Sequence, residues 1–232
     1  MCPNPNSFFF AISPEVLIKI LNFSFNSNQT IFYSKKYIYE DKKKRMKFYY
    51  SNLLDKNSIY IVAEAGSNWK VGTLEEDISE AKKMIKAASN AGADGIKFQI
   101  FKSSTLYADN AGKSDYLKKS GIEDDINTMF SKLSMPSQII PELVEECKKN
   151  QINFMASSFS VDDAKQVDQF VDAHKIASYE INHYRLLEYV AKTEKPIIIS
   201  TGAYTYEEID FAIKTIRKYN NKIAILQCTA SY

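Results

Sequence analysis

The run Gly95-Ile96-Lys97-Phe98-Gln99-Ile100 holds the first residues whose types and spacing could do chemistry. In an extended chain, alternation sets Ile96, Phe98 and Ile100 on one face and Gly95, Lys97 and Gln99 on the other. An apolar face suits covering helices, which turns an ammonium group inward. Burying that charge without a counter-anion costs on the order of several kcal/mol, so such a lysine needs a partner. Either an internal carboxylate such as Glu64 neutralises it, or it waits for an anionic ligand. Polar residues recur where the other apolar runs end: Glu64, then Ser157 and Ser158, Ser178 and Glu180, Ser200 and Thr201 before Gly202, and Thr229, Ser231 and Tyr232. One cation ringed by small hydroxyls and backbone amides is a cradle for phosphate. Each hydroxyl taken singly reads equally well as the cap of a following helix. Its recurrence from strand to strand favours the ligand.

The elements that must position these residues alternate regularly from Ser58 onward. Strands are expected at 59–64, 95–100, 152–156, 174–178, 196–200 and 223–228. Between them, helical periodicity marks 161–170, 184–191 and 206–219 and a helix through Leu143, Val144 and Cys147. Thr73 with Glu76 forms a capping box for a helix presenting Ile78, Ala81, Met84, Ile85 and Ala88 on one face. The polar stretch from Lys102 to Ser134 is too long for an ordinary connection and reads as functional or disordered. Near-continuous apolar strands alternating with helices imply parallel strands covered by helices. The fold class is α/β, a TIM-type (β/α) barrel left incomplete at about six βα units. In such a barrel the carboxyl ends of the strands share one mouth, where active sites sit. A barrel this short would leave its first and last strands as unpaired edges.

The 232 residues are 45% hydrophobic and 25% charged, a soluble globular composition with room for one large domain. A net charge of +2, from 30 basic and 28 acidic side chains, gives no basic surplus that would suggest nucleic acid. Three cysteines without CxxC spacing fit a reducing compartment, hence a cytoplasmic location, and exclude a cysteine zinc site. Two histidines, His174 and His183, are too few for a histidine-rich metal centre, and each reads as structural. Residues 1–45 differ in character. Pro14, Glu15 and Lys19 break their apolar stretch, which lacks the features of a signal peptide and is too interrupted for a membrane span. They read as a poorly ordered extension before a barrel spanning residues 46–232.

Several motifs occur in order: Ile61-Val62-Ala63-Glu64-Ala65-Gly66-Ser67-Asn68, Gly92-Ala93-Asp94-Gly95-Ile96-Lys97-Phe98-Gln99, Lys175-Ile176-Ala177-Ser178-Tyr179-Glu180-Ile181, Ser200-Thr201-Gly202 and Gln227-Cys228-Thr229-Ala230-Ser231-Tyr232. Together, over residues 58–232, they resemble the N-terminal barrel of the N-acetylneuraminate (sialic acid) synthase family. That family joins phosphoenolpyruvate (PEP) to an N-acyl-hexosamine such as N-acetylmannosamine, releasing phosphate, with Mn²⁺ or Mg²⁺ bound. The resemblance implies a PEP-binding Lys97, hydroxyl contacts to PEP from Ser157, Ser178 and Ser200, and Glu64, Gln99, Glu180 and Tyr232 around the reacting carbons and the sugar. It implies Glu64, Lys97 and Glu180 as the catalytic set. The metal-ligating histidines are expected outside this chain, and a homodimer is expected for the full-length form, with no nucleic acid or membrane partner.

Three departures bear on the sugar more than on PEP. The family's Asn-His-Asn-Gly appears as Ser67-Asn68-Trp69-Lys70-Val71-Gly72, its Ser-Thr-Pro-Phe as Ala156-Ser157-Ser158-Phe159, and its asparagine two residues before Tyr232 as Ala230. The chain is expected to be an N-terminal portion of a synthase. The competing expectation is an inactive barrel remnant that binds a phosphorylated ligand or a partner chain.

Overall fold

Strands that are apolar on both faces must be covered on both, and helices returning between parallel strands do this. The computed structural model describes residues 60–108, 112 and 125–228 with their side chains, and the backbone of two further strands near the N-terminus. Its strands are β1 (Phe10–Ile12), β2 (Val16–Asn22), β3 (Ile61–Gly66), β4 (Gly95–Ile100), β5 (Asn153–Ser158), β6 (His174–Ile176), β7 (Ile197–Ser200) and β8 (Ile223–Leu226). They form one sheet in chain order. From β2 to β8 every neighbouring pair is parallel. The helices are α1 (Leu74–Asn90), α2 (Ser103–Leu106), α3 (Ile126–Leu133), α4 (Ile140–Lys149), α5 (Val161–Asp168), α6 (Tyr184–Lys192) and α7 (Tyr206–Arg217).

The alternation expected for β4 holds. Ile96, Phe98 and Ile100 join Ala81, Met84, Ile85 and Ala88 of α1 and Leu143 and Cys147 of α4 in one buried cluster. A second cluster joins Ile176, Ile197 and Ile199 to Leu186, Leu187 and Val190 of α6 and Ala212 and Ile216 of α7. Residues of the opposite parity, Lys97, Ser157, Lys175, Ile198 and Ser200, therefore face the other side of the curled sheet, the barrel interior.

Several expectations change in detail. β5 runs to Ser158, so both serines lie within it, whereas β6 stops at Ile176 and Ser178–Glu180 form a 3₁₀ turn. Part of the long polar stretch is ordered. Tyr107 packs on Phe130 with ring centres 4.9 Å apart, and Phe130 packs on Phe101 at 5.5 Å. Residues 109–111 and 113–124 lie outside the described residues, as do the expected domain start at Met46 and most of the extension. The edge expected at β3 is not free. β2 runs parallel to it in the register Lys19↔Ile61 to Asn22↔Glu64, β1 pairs antiparallel with β2, and β1 comes alongside β8. Among the described residues, no helix is long and apolar enough to cross a membrane.

The capping box is formed as the sequence requires. Thr73 Oγ1 accepts from Glu76 N at 3.3 Å, and Glu76 Oε2 accepts from Thr73 N at 2.7 Å. Losing this side chain leaves a helix-end amide without its partner. Thr73→Ala is expected to destabilise the fold by about 1 kcal/mol, lowering Tm by about 2–4 °C in calorimetry, and Thr73→Ser to restore it.

Candidate active site

Register decides which polar groups meet. Glu64 of β3 lies beside Lys97 of β4, Gln99 beside Ser157 of β5, and Ser157 beside Lys175 of β6. A register shift between Glu64 and Gly66, where Gly66 takes φ +56°, ends β3 with the Glu64 carboxylate turned to its neighbour. Lys97, 5% exposed, forms a close ion pair with Glu64 Oε2. The internal carboxylate allowed for by the sequence is thus present. The other oxygen, Glu64 Oε1, is buried with no hydrogen-bond partner among the described residues.

A second lysine, missed by the sequence reading, stands in the same wall. Lys175 Nζ donates to Ser200 Oγ at 2.8 Å and to the carbonyl of Ile176 at 2.6 Å. Burial, and then the positive charge of Lys97, push its ammonium down to about 7, while Glu64 and Cys228 act the other way. Lys97 thus pairs with Glu64 while Lys175 is held by a hydroxyl and a carbonyl and feels that carboxylate only through space, so an anion would complete the charge balance. The signal was available: Lys175 interrupts an apolar strand as Lys97 does, and it lies in register with Ser157.

The serines flank this pair. Ser157, Ser178 and Ser200 are all buried. Ser178 Oγ accepts from the Gly202 amide at 3.2 Å. Gly202 is required there, since a Cβ would sit 2.9 Å from the Cys228 carbonyl. None of the three is a helix cap. Those roles fall to Thr73, Ser160, Thr205 and Asp125. The capping explanation therefore fails for these serines. Thr201 instead ties β7 to β8, donating to the Leu226 carbonyl at 3.1 Å. Gln99 Oε1 accepts from Ser67 Oγ at 3.4 Å, and Tyr232 lies outside the described residues.

Glu180 closes the 3₁₀ turn, 15% exposed, with Oε2 3.1 Å from His183 Nδ1. Burial raises its carboxyl above the usual range, the His183 contact opposes this, and the charge of Asp163 adds to the rise. A carboxyl shifted this way can hold a proton nearer neutrality and return it, as acid–base catalysis needs. His174 is buried against Asp168 at 3.0 Å, and burial lowers its proton affinity, so it is a neutral structural group. Among the described residues no cluster of three or more His, Cys, Asp or Glu could hold a metal. Together with the engaged histidines, this means the described residues do not fit Mn²⁺ or Mg²⁺.

A parallel sheet in chain order, covered by helices and carrying buried lysines and serines on its inner face, defines a TIM-type (β/α) barrel. Within that class the chain belongs to the NeuB family, whose sequence model matches residues 84–232. It is 35% identical over 176 residues to the spore coat polysaccharide biosynthesis protein SpsE of Bacillus subtilis, covering 75% of this chain and 45% of that protein. It is 33% identical to the N,N'-diacetyllegionaminic acid synthase of Campylobacter jejuni, covering 74% of this chain and 52% of the other. The fold matches the crystal structure of an N-acetylneuraminic acid synthetase from Leptospira borgpetersenii in complex with citrate, with TM-score 0.63, 28% identity and coverage of 75% and 55%. The chain spans about half the length of the curated relatives it matches.

The charge arrangement has measurable consequences. Lys175 loses its proton as pH rises through about 7, so anion affinity is expected to fall between pH 7 and 9. At pH 8, PEP binding should take up close to one proton, read by calorimetry in buffers of different ionisation enthalpy. Lys175→Arg should abolish that uptake, because arginine stays charged. The sign for stability is opposite. The unfolded lysine titrates near 10.5, so the cost of burying its charge is fully present below about 7 and fades as pH rises from there to 10.5.

Lys97→Ala should weaken PEP binding by about 100-fold or more, since it removes a charge-assisted contact in a desolvated site. Glu64→Gln should leave PEP affinity equal or higher, because it frees Lys97 from its internal competitor. Calorimetry on both variants checks the pair.

Proposed function

We propose that this chain supplies the PEP-binding barrel of a synthase that condenses PEP with an N-acyl-hexosamine aldehyde, giving a nonulosonic acid and phosphate. The observation that carries this reading is the buried Lys97, paired with Glu64, and the buried Lys175, bonded to Ser200, in one wall with Ser157 and Ser178. PEP bears a phosphate and a carboxylate, which match two ammonium groups and adjacent hydroxyls. Membership of the NeuB family and likeness to named sialic, legionaminic and pseudaminic acid synthases support it.

In the proposed reaction PEP C3 forms the bond to the aldehyde carbon, whose oxygen takes up a proton to become a hydroxyl; positive charge develops at C2, water adds there with loss of a proton, and the C2–O bond breaks to release phosphate. Lys97 and Lys175 hold and orient the anion, and the hydroxyls fix its rotation. Glu180, its carboxyl raised by burial, takes the proton from the attacking water or faces the charge developing at C2. Gln99 and Tyr232 are assigned to the sugar side. Family members use a divalent metal, whose ligands we assign outside the described residues, and no step is routed through it. Cysteines without paired spacing support a cytoplasmic location, and the resemblance supports a homodimer for the full-length form.

The test is phosphate release from PEP, N-acetylmannosamine and Mn²⁺ by the chain, alone and co-expressed with the part of a NeuB relative that lies beyond the matched region. PEP binding without release under those conditions would favour the binding remnant instead. Glu180→Gln is expected to lower kcat by about 100-fold while changing PEP affinity less than about threefold, because its partner is charge formed only during reaction. Equal damage to both quantities in steady-state kinetics and calorimetry would make Glu180 structural.

A further inference from the structure

Tyr179 lies between two residues of the site, Ser178 and Glu180, and is 60% exposed. Its backbone is fixed three ways. The turn bonds Glu180 N to the Ala177 carbonyl at 3.0 Å and Ile181 N to the Ser178 carbonyl at 3.3 Å, and Tyr204 donates its hydroxyl to the Tyr179 carbonyl at 3.2 Å. A rigid backbone thus presents a large ring to solvent at the barrel mouth. The other exposed aromatics differ. Tyr184 and Phe211 pack on one another with centres 4.8 Å apart, Tyr219 is held by Glu188 and Lys192, Tyr107 is tilted against Phe130, and Tyr206, 88% exposed, opens α7 and flanks no residue of the site. Among the described residues no ring contact is recorded for Tyr179. Tyr107, from the loop after β4, reaches the same neighbourhood: burial raises its hydroxyl, and the charges of Tyr179 and Glu180 raise it further. The loop after β7 thus brings Tyr204 onto the backbone of the turn that carries Tyr179 and Glu180.

We propose that Tyr179 is the platform on which the apolar face of the acceptor sugar stacks, so that this ring helps set which acceptor the site takes. The proposal rests on the synthase reading and deepens it by assigning the acceptor side. A hexosamine has one face of C–H groups and a rim of hydroxyls. An aromatic plane with a phenol tip matches both, and neighbouring tyrosine hydroxyls can meet the rim. Because Ser178, Tyr179 and Glu180 form one 3₁₀ turn, a sugar stacked on the ring would lie at the same strand end as the anion cradle and the acid–base group. Holding the platform rigid before binding lowers the ordering cost of the complex.

The experiment titrates the protein, with and without PEP, with N-acetylmannosamine, read by saturation-transfer NMR on the sugar protons, and measures PEP affinity separately by calorimetry. Tyr179→Ala should weaken the sugar by about tenfold or more and change PEP affinity less than about twofold. Tyr179→Phe, which keeps the plane, should stay within about threefold of the parent for the sugar. The exposed side chain makes both variants foldable, which a melting curve verifies. Undiminished sugar binding by Tyr179→Ala, or no sugar binding by the parent, would overturn the platform. Failure of the parent to bind PEP would overturn the synthase reading, and the platform would then stand or fall on the PEP-free titration.

Discussion

The positive charge in the barrel wall is the constraint to which the rest answers. Two ammonium groups buried beside one carboxylate are tolerable only where the surroundings supply hydrogen bonds and a place for an anion. Glu64 partly neutralises Lys97, while Ser200 and a backbone carbonyl accept from Lys175. Glu64, Lys97, Lys175 and Ser200 sit on four different strands, so their approach depends on parallel register across β3 to β7. That register depends in turn on the helices that bury the opposite strand faces. The binding site and the core are two faces of the same strands.

The local fold was largely legible in the sequence because its signals were short-range. The Thr73–Glu76 box, the α1 stripe and the alternation of β4 each follow from neighbours a few residues apart, and the motif order carried the family. What depended on tertiary contact was less visible. Lys97 stands out because its strand is long enough for alternation to give it a face, whereas Lys175 lies in a three-residue strand too short for that. The Glu64 pair and an anionic ligand are both open in the sequence, since spacing along the chain cannot show which charge an ammonium meets. β6 is shorter than its sequence pattern suggests because Ala177 and Ser178 continue that pattern, although the chain turns into a 3₁₀ segment there.

The departures from the family pattern have physical outcomes. Trp69, in the segment where the family carries a histidine, is fully buried in the α1 cluster. That segment is held down by Asp77, which accepts from Val71 N at 2.8 Å, Gly72 N at 3.0 Å and Lys70 Nζ at 2.5 Å. A loop that could contact a ligand has become a packed and bonded cover at the start of α1. Near the N-terminus, β2 occupies the edge of β3, so backbone groups that would otherwise invite another chain are paired within this one.

Trp69 also makes the molecule an uneven reporter of its own unfolding. It is the one tryptophan in the sequence, and it belongs to the cluster built on β3 to β5, not to the separate cluster of β6 to β8. Its emission follows the first half of the sheet alone. If the two clusters come apart at different denaturant concentrations, fluorescence and far-ultraviolet circular dichroism will trace different midpoints. A free energy taken from the tryptophan signal would then describe half a barrel.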